Sequence, residues 1–318
     1  MRFEAEGPSL RTMEIEPAKS AVKLTVTHTV ESEGSKLITA VSGGWPKVLS
    51  NLKSLLESGK VALDEPYPAQ YPEVRRDAEN VRSNPGPGRK LPLFLTKRIV
   101  PELGGLVDIW CIPPQAFDIK AAAAERAAGR RVAFYNGGRP QGPTPVIDAP
   151  ATEARVVGWA AFKHDASLYF YWHADHWEHN RQKQGERKQN VWANPVTFDN
   201  RGQPRKPVED QGFINGDGVL VYPGQDRLHP EEDRGIEGPI GTVQLANLRR
   251  GLQDHQYLTL ARKLGLDGEV KAALQAVVPR VFSDAGETVG FAETGETFET
   301  ARLALAAAIE ARLAKESR

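Results

Sequence analysis

The sequence predicts an α/β protein in which an incomplete TIM-type (β/α) barrel follows a small α+β fragment. Three observations predict this class: five short apolar runs that suit parallel strands, helical stretches between them, and three helical patterns that close the chain. A closed barrel of this type needs about eight strands, so five strands form either an open sheet or a barrel without its first three strands. We expect the fragment at residues 1–60, the partial barrel at 61–240 and C-terminal helices at 241–318.

Composition argues against several function classes. The 318 residues include 41 basic and 41 acidic side chains, so no net positive charge attracts nucleic acid. No apolar run approaches the ~20 residues of a membrane span, and the polar start of the chain does not resemble a signal peptide, which makes a cytoplasmic location the default expectation. Cys111 is the single cysteine, which excludes an intrachain disulfide and a cysteine-rich metal site. We expect no metal, no cofactor and no membrane or nucleic-acid partner.

The fragment at residues 1–60 contains few elements. Alternating apolar residues predict strands at 11–16 and 22–28, and a third is expected at 36–39. A helix with one leucine-rich face is predicted at 46–58, where the proline at position 46 suits the first helical turn. Two or three strands and one helix bury little surface, so this piece is marginal without a partner.

The remainder of the chain alternates strands and helices. A short link between the second and third strands has room for a single helical turn, because a crossover normally takes about a dozen residues. The polar stretch 180–210 predicts a mobile loop, and 215–218 predicts a turn before a strand at 219–222. The expected parallel strands are 61–66, 91–96, 106–112, 131–135 and 167–172; the expected helices are 71–81, 115–129, 151–163, 242–264, 268–280 and 297–315, the last of which is expected to cover the sheet through Ala301, Leu303, Leu305, Ile309 and Leu313.

Two adjacent carboxylates end the first of these strands. Residues 61–66 read Val-Ala-Leu-Asp-Glu-Pro, and Pro66 would end the apolar run. Barrels place their chemistry at the C-terminal tips of strands, and paired carboxyl groups in a confined site can split into a proton donor and an anion. Because glycoside hydrolysis uses such a pair, Asp64 and Glu65 are candidate catalytic residues; the alternative is an exposed acidic turn.

Aromatic side chains stand at or near the ends of three other strands and in the loop that follows. Aromatic faces suit the apolar face of a sugar ring, and tyrosine hydroxyls can hydrogen-bond it. The alternative is core packing, which is the usual role of large aromatic residues on buried strands. The candidate substrate-binding residues are Trp110, Tyr135, Asn136, Tyr171, Trp172 and Trp177.

Three histidines after the last predicted parallel strand raise the alternative of a metal site. His173, His176 and His179 recur at a spacing that could share a metal on a helix. They follow a strand and precede a polar run, which favours a solvated loop.

The region from residue 61 to the C-terminus resembles the second half of the catalytic domain of glycoside hydrolase family 123. The resemblance rests on the order of several short motifs: Asp-Glu-Pro at 64–66, Glu-Leu-Gly-Gly-Leu-Val-Asp-Ile-Trp at 102–110, Phe-Tyr-Asn-Gly-Gly at 134–138, Ala-Arg-Val-Val-Gly-Trp at 154–159, Tyr-Phe-Tyr-Trp at 169–172 with Trp177, Asn-Gly-Asp-Gly-Val-Leu-Val-Tyr-Pro-Gly at 215–224, and Leu-Ala-Asn-Leu-Arg-Arg-Gly-Leu-Gln-Asp at 245–254. Members of the family are similar to β-N-acetylgalactosaminidases. The resemblance implies that the five strands are barrel strands four to eight, and that the partner is a glycan containing an N-acetylhexosamine.

The same resemblance implies a substrate-assisted retaining mechanism. The substrate's own acetamido oxygen would attack the anomeric carbon. Asp64 would orient the acetamido group, and Glu65 would protonate the leaving oxygen and then activate water. The chain departs from the family at 242–245, where Thr-Val-Gln-Leu replaces a Ser-Ile-Arg-Leu-like stretch, and also at Gln256 and His176, where Glu and Asn are usual.

Residues 1–60 resemble the C-terminal third of helix-grip proteins related to the activator of the heat-shock protein 90 ATPase, in the START and polyketide-cyclase superfamily. The matching stretches are 13–17, 23–28 and 43–57. Half of a helix-grip sheet cannot enclose a ligand, so we expect no intact cavity.

Two alternatives to a working glycosidase remain open. One is a non-catalytic fusion remnant that binds sugar at most and self-associates through an open sheet edge. The other is START-like ligand binding or a chaperone interaction through residues 1–60. The family resemblance also suggests an exported enzyme, in contrast to the default location.

Overall fold

A computed structural model describes residues 9–18, 21–30, 70–83, 91–179, 189–201 and 212–316, together with the single residues 49, 86 and 181. The chain separates into two compact units, residues 1–81 and 82–318. The predicted strand at 36–39, most of the predicted helix at 46–58, and the strand at 61–66 with Asp64 and Glu65 lie outside the described residues.

The described part of the first unit contains a hairpin and most of a helix. Strands β1 (Ser9–Ala18) and β2 (Ala21–Val30) pair antiparallel, with Ser9 opposite Val30 at the open end. Helix α1 (Gln70–Ser83) buries Ala78 on its predicted apolar face. The strands predicted at 11–16 and 22–28 and the helix at 71–81 are therefore confirmed, each slightly longer than expected.

The second unit is built on a four-stranded parallel sheet in the order β3–β4–β5–β6, which confirms the α/β class. A single 3₁₀ turn at Pro101–Leu103 fills the short link after β3, as predicted. The other connections contain α2, which Asp118 caps by accepting the Ala121 N–H, and α3. The bounds are β3 (Phe94–Thr96), β4 (Ile109–Ile112), β5 (Arg131–Tyr135), β6 (Leu168–Phe170), α2 (Ile119–Ala127) and α3 (Glu153–Lys163).

The sheet curls toward one face. Ile109, Cys111 and Ala133 form a buried cluster on this face, against which Tyr135 packs. At the two outer strands, the rings of Phe94 and Phe170 lie 5.6 Å apart. Because neighbouring strands are about 4.8 Å apart, a flat sheet would hold these two strands about 14 Å from each other. The aromatic contact therefore requires strong curvature.

Two short antiparallel pairs follow the parallel sheet. Strand β7 (Val196–Asp199) pairs with β8 (Phe213–Asn215), and β9 (Val221–Pro223) pairs with β10 (Pro239–Gly241). The prediction of an unbroken loop over 180–210 is wrong at β7, whereas the turn at 215–218 and the strand after it are confirmed.

Three long helices close the chain, as predicted: α4 (Val243–Lys263), α5 (Asp267–Val277) and α6 (Gly295–Glu316). Helix α4 packs along α3, and α6 packs on α4 and α5. Of the residues expected to pack from α6, Leu303 and Leu313 are exposed. The crossing of α3 and α4 is so close that a Cβ on Gly158 would lie 1.9 Å from the carbonyl oxygen of Gly251.

A buried ion network joins α3, α4 and α6. The Asp254 carboxylate is buried and accepts hydrogen bonds from Arg155 at 2.5 and 3.1 Å, from the Trp159 indole at 2.9 Å and from Arg302 at 3.1 Å. Glu299 pairs with the same Arg155 at 2.6 Å. Helices α3, α4 and α6 are thus held together by a charge cluster whose members satisfy one another.

Candidate functional site

The loops after β5 and β6 meet a tight turn that precedes β9. The predicted site residues Tyr135, Asn136, Tyr171 and Trp172 converge there on Asp217, and we call these five residues the Asp217 cluster. Parallel strands that end at the same edge of a sheet bring their following loops together. The cluster therefore lies at the carboxyl edge of the curved sheet.

Asn136 ties the ends of β5 and β6 together. It adopts a left-handed backbone conformation (φ 56°) directly after β5, which asparagine tolerates better than most residues. Its N–H donates to the Phe170 carbonyl at 2.8 Å, and its side-chain oxygen accepts the Trp172 N–H at 3.2 Å. These bonds fix the direction in which the chain leaves β6.

Asp217 receives two side-chain hydrogen bonds on one oxygen. The Tyr171 hydroxyl donates to it at 3.1 Å and the Trp172 indole N–H at 3.0 Å. The Tyr171 oxygen also accepts the Gly218 N–H at 2.6 Å, so its proton is directed at the carboxylate. One oxygen of a half-buried acid is thereby held in a fixed position.

The backbone around Asp217 depends on glycine. Gly216 and Gly218 flank it with φ values of 68° and 84°, in the left-handed region that favours glycine. A Cβ on Gly218 would lie 2.8 Å from the Cβ of His176 and 3.0 Å from the Trp172 ring. The Asp148 carboxylate fastens the start of the turn by accepting the Asn215 N–H at 2.7 Å.

Burial and the negative charge of Asp217 act together on the neighbouring phenols. Burial, followed by the Asp217 charge, raises the pKa of Tyr171 and of Tyr135 above the ordinary tyrosine value. Burial also raises the pKa of Tyr169, whose hydroxyl is buried without a hydrogen-bond partner among the described residues. These phenols stay protonated at neutral pH, which lets Tyr171 donate its hydrogen bond to Asp217.

Packed rings fix two of the half-buried aromatic side chains of the cluster, Trp172 and Tyr135. Trp172 packs against His176 with ring centroids 4.7 Å apart and against Phe198 at 5.4 Å. The half-buried Tyr135 stacks on Phe170 at 5.6 Å. Both rings are held in place and partly exposed, which suits the recognition of a ligand with an apolar face.

Trp110 and Trp177 lie elsewhere. Trp110 is completely buried, and its indole N–H donates to Glu125 of α2 at 2.8 Å, so it packs between sheet and helix. The prediction that Trp110 binds substrate is wrong, because the side chain is completely buried. It packs in the core, which was the alternative interpretation. Trp177 is half-buried, donates to the Val221 carbonyl at 2.8 Å and lines a separate cleft.

Glu153 stands behind the loop that carries Asn136. This carboxyl is buried on α3, accepts the Thr144 N–H at 3.1 Å and pairs with Arg139 at 2.9 Å. Burial raises its pKa to about 7, against the opposing effect of Arg139. Burial likewise raises the pKa of the Cys111 thiol to about 12, so that this thiol is inert at neutral pH.

Within the described ranges, the structure shows no group of residues placed to bind a metal ion. There, no three His, Cys, Asp or Glu side chains are placed to share an ion. Of the three loop histidines, His173 is exposed and 3.3 Å from Asp175, whereas His176 packs on Trp172. Likewise, none of the described helices is both long and apolar enough to cross a bilayer.

The sequence does not predict Asp217 as a site residue, although it predicts a turn at residues 215–218. An acid between two glycines that need positive φ, directly before a strand, was the available signal. The turn itself sets the position of the Asp217 carboxylate. Its hydrogen-bond partners, Tyr171 and Trp172, lie about 45 residues away along the chain, so local sequence does not reveal them.

Two family descriptions match the chain. "Glycoside hydrolase 123, catalytic domain" matches residues 46–261, and "Activator of Hsp90 ATPase homolog 1-like protein" matches residues 1–57. The first match begins before the expected boundary at 61 and ends within α4, and the two overlap at 46–57. Both predicted resemblances are confirmed.

Comparison with individual proteins adds two partial similarities. A solved family 123 glycoside hydrolase from Clostridium perfringens, studied for glycolipid glycan hydrolysis, is 12% identical with a TM-score of 0.47; the match covers 92% of this chain and 48% of that one. The putative glycosyltransferase EpsD of Bacillus subtilis (strain 168) is 32% identical over 101 residues, covering 28% of this chain and 26% of EpsD. The chain thus spans about half of the solved relative and about a quarter of the curated one.

Proposed function

The chain belongs to glycoside hydrolase family 123, and on that premise we propose that it is a β-N-acetylhexosaminidase of the N-acetylgalactosaminidase type. Its substrate is a glycan with a terminal N-acetylhexosamine. The reaction is a retaining hydrolysis in which the 2-acetamido oxygen of the substrate acts as the nucleophile. No protein nucleophile, metal or cofactor is required.

The observation that carries the proposal is the Asp217 cluster. It combines the Asp217 carboxylate, the Tyr171 phenol and the partly exposed Trp172 ring at the carboxyl edge of a parallel sheet. A sugar ring offers hydroxyl groups to the first two and an apolar face to the last. In (β/α) barrels this edge is the catalytic face.

The curvature of the sheet supports a barrel segment. Phe94 and Phe170 touch across the concave face although their strands are separated by two others. We assign β3 to β6 to the last four barrel strands, as the family membership suggests.

The two carboxyl groups have different tasks in this scheme. Asp64 orients the acetamido group and stabilises the positive charge that develops on the oxazolinium-like intermediate. Glu65 donates a proton to the leaving oxygen and then removes one from the attacking water. Asp217 accepts a hydroxyl of the bound ring, and Trp172 stacks on it.

A second candidate is sugar binding without turnover. Phe94 and Phe170 on the concave face are each 39% exposed. A sheet that leaves its inner aromatic residues in water could retain the Asp217 cluster while lacking a complete catalytic site.

Hydrolysis of an aryl N-acetyl-β-galactosaminide by purified full-length protein separates the two candidates. We expect release of the aryl alcohol by the wild type, and loss of at least about 100-fold in kcat for Glu65→Gln, the usual size of a general acid–base contribution. Glu287→Gln, at an exposed acid away from the cluster, is the matched control and should keep full activity.

Failure to hydrolyse any aryl N-acetylhexosaminide by a folded wild-type protein would refute the enzyme and leave the binding candidate. Equal activity of the wild type and Glu65→Gln would refute the assignment of the acid. The stereochemistry of the first-formed sugar, followed by proton NMR, tests retention.

A further inference from the structure

A second concave surface lies beside the Asp217 cluster and includes Trp177. This Trp177 cleft has a volume of about 390 Å³, within the range of about 300–1,000 Å³ typical of small-molecule sites. Its principal lining side chains are Trp177, Glu178, Gln189, Gln225, Asp226 and His229.

The indole of Trp177 is fixed in the cleft wall. Its N–H donates to the Val221 carbonyl at 2.8 Å, and the side chain is half-buried. An aromatic ring that is already oriented offers its face to a ligand at little cost in conformational entropy. This is the property that stacking on a sugar ring or another flat apolar surface requires.

The polar wall is also held in place. Asp226 is buried and accepts the N–H groups of Leu228 and His229 at 2.9 and 2.8 Å. The Gln189 amide donates to the carbonyls of Asn194 and Val196 at 2.6 and 2.7 Å. Fixed carboxylate and amide groups beside an aromatic face match the hydroxyl groups and apolar face of a carbohydrate.

The charges of the cleft favour a neutral ligand. Asp175, Glu178 and Asp226 lie in the same wall as Arg227 and His229. Three carboxylates against one arginine and one histidine leave no excess of positive charge, which opposes binding of a nucleotide or a phosphate. Neutral polyhydroxyl ligands use both donors and acceptors, which this wall supplies.

Short backbone bonds connect the cleft with the Asp217 cluster. The His176 N–H donates to the Gly218 carbonyl at 2.9 Å, and the Leu220 N–H donates to the Ala174 carbonyl at 2.7 Å. The loop from Trp172 to Trp177 is therefore fastened along the segment that carries Asp217. Since Asp217 and Val221 are four residues apart, their Cα atoms lie within about 14 Å of each other.

We propose that the Trp177 cleft is a second carbohydrate subsite, which takes a further sugar ring of a glycan whose terminal ring occupies the Asp217 cluster. The choice of a glycan as ligand rests on the proposed function. The subsite gives the protein a preference for oligosaccharides over single sugars, whether or not it hydrolyses them.

The test is a calorimetric titration of full-length Glu65→Gln protein, which does not consume ligand. The probes are methyl N-acetyl-β-galactosaminide and the β-linked disaccharide N-acetylgalactosaminyl-galactose. We expect the disaccharide to bind more tightly than the monosaccharide, and Trp177→Ala added to this background to weaken the disaccharide about tenfold while changing the monosaccharide less than about twofold. Trp177→Phe, which keeps an aromatic face, should retain most of the affinity.

A second variant, Gln225→Ala, serves if the Trp177→Ala protein does not fold. Gln225 is exposed in the cleft wall, so its truncation should not disturb the fold. It should weaken the disaccharide about threefold and leave the monosaccharide unchanged. Thermal melting of each variant verifies the fold.

Three results would overturn the subsite. The Glu65→Gln protein could bind the monosaccharide and the disaccharide with equal affinity, or the cleft variants could weaken both ligands equally. The third result is a disaccharide affinity that the cleft variants leave unchanged. Binding of tetralysine that depends on Trp177, in place of glycan binding, would also overturn it. Absence of hydrolysis by the wild type refutes the proposed enzyme but leaves the binding pattern, and hence the subsite, standing.

Discussion

The buried carboxyl of Glu153 predicts an unusual dependence of stability on pH. Its pKa is raised from 4.5 to about 7, chiefly by burial. A folded-state pKa above the unfolded value means that the folded protein binds more protons between these two pH values. The free energy of unfolding therefore decreases as pH rises through this window. At 1.36 kcal/mol per unit, the shift corresponds to about 3 kcal/mol in total.

The Glu153→Gln substitution removes the titrating carboxyl group but keeps a side-chain oxygen that can accept the Thr144 N–H. Urea unfolding of both proteins at pH 5 and pH 8 measures the effect as the difference between wild type and variant, which cancels all other titrating groups. We expect the wild type to lose about 2.5 kcal/mol relative to the variant between these pH values, because part of the total change occurs below pH 5. Glu287→Gln, at an exposed acid that is not among the groups shifting the Glu153 pKa, is the control and should leave the pH-dependent change in place.

A wild-type–variant difference that stays constant within about 0.5 kcal/mol from pH 5 to pH 8 would refute the burial argument. A slope of opposite sign would show that the Arg139 cation outweighs burial. Either result would mean that Glu153 is ionised in the folded protein at pH 5, and that an ion pair rather than a protonated acid braces the loop behind Asn136.

Three further predictions concern packing and the site. Asp254→Ala removes the buried carboxylate that Arg155, Arg302 and the Trp159 indole share, and should lower the free energy of unfolding by about 3–5 kcal/mol in urea; a loss below about 1 kcal/mol would contradict the network. Gly158→Ala forces a methyl group into a backbone oxygen and should cost about 3 kcal/mol or more, whereas Gly268→Ala, in open space on another helix, should cost nothing in the same assay. Tyr171→Phe removes a donor to Asp217 and should weaken binding of methyl N-acetyl-β-galactosaminide about tenfold in calorimetry; unchanged affinity would separate this tyrosine from the sugar site.

Local pattern was sufficient for most elements of the fold. Strand β5 was predicted residue for residue, and the closing helices were placed within about three residues of their ends, because apolar periodicity and capping residues act over a few positions. Thr242, for example, caps α4 by accepting the Leu245 N–H at 3.1 Å. The domain boundaries at 60 and 240 and the roles of Asp64 and Glu65 stay predictions.

Strand β7 escaped prediction because its alternation is inverted. Its buried positions are Thr197 and Asp199, while Val196 and Phe198 are only half-buried. Asp199 is paired with Arg201 at 3.0 Å, which offsets the cost of burying a carboxylate. A strand that turns its polar residues inward has no apolar signal to distinguish it from a loop.

Trp110 and Trp172 illustrate what pattern cannot decide. All four residues of β4 are buried, so periodicity does not tell which side of the strand faces the helices. The side is set by α2, whose Glu125 accepts the Trp110 indole N–H. Trp172 follows the end of β6, where its indole finds Asp217 instead. These two tryptophans thus have different roles, because hydrogen-bond partners 15 and 45 residues away along the chain fix where each indole lies.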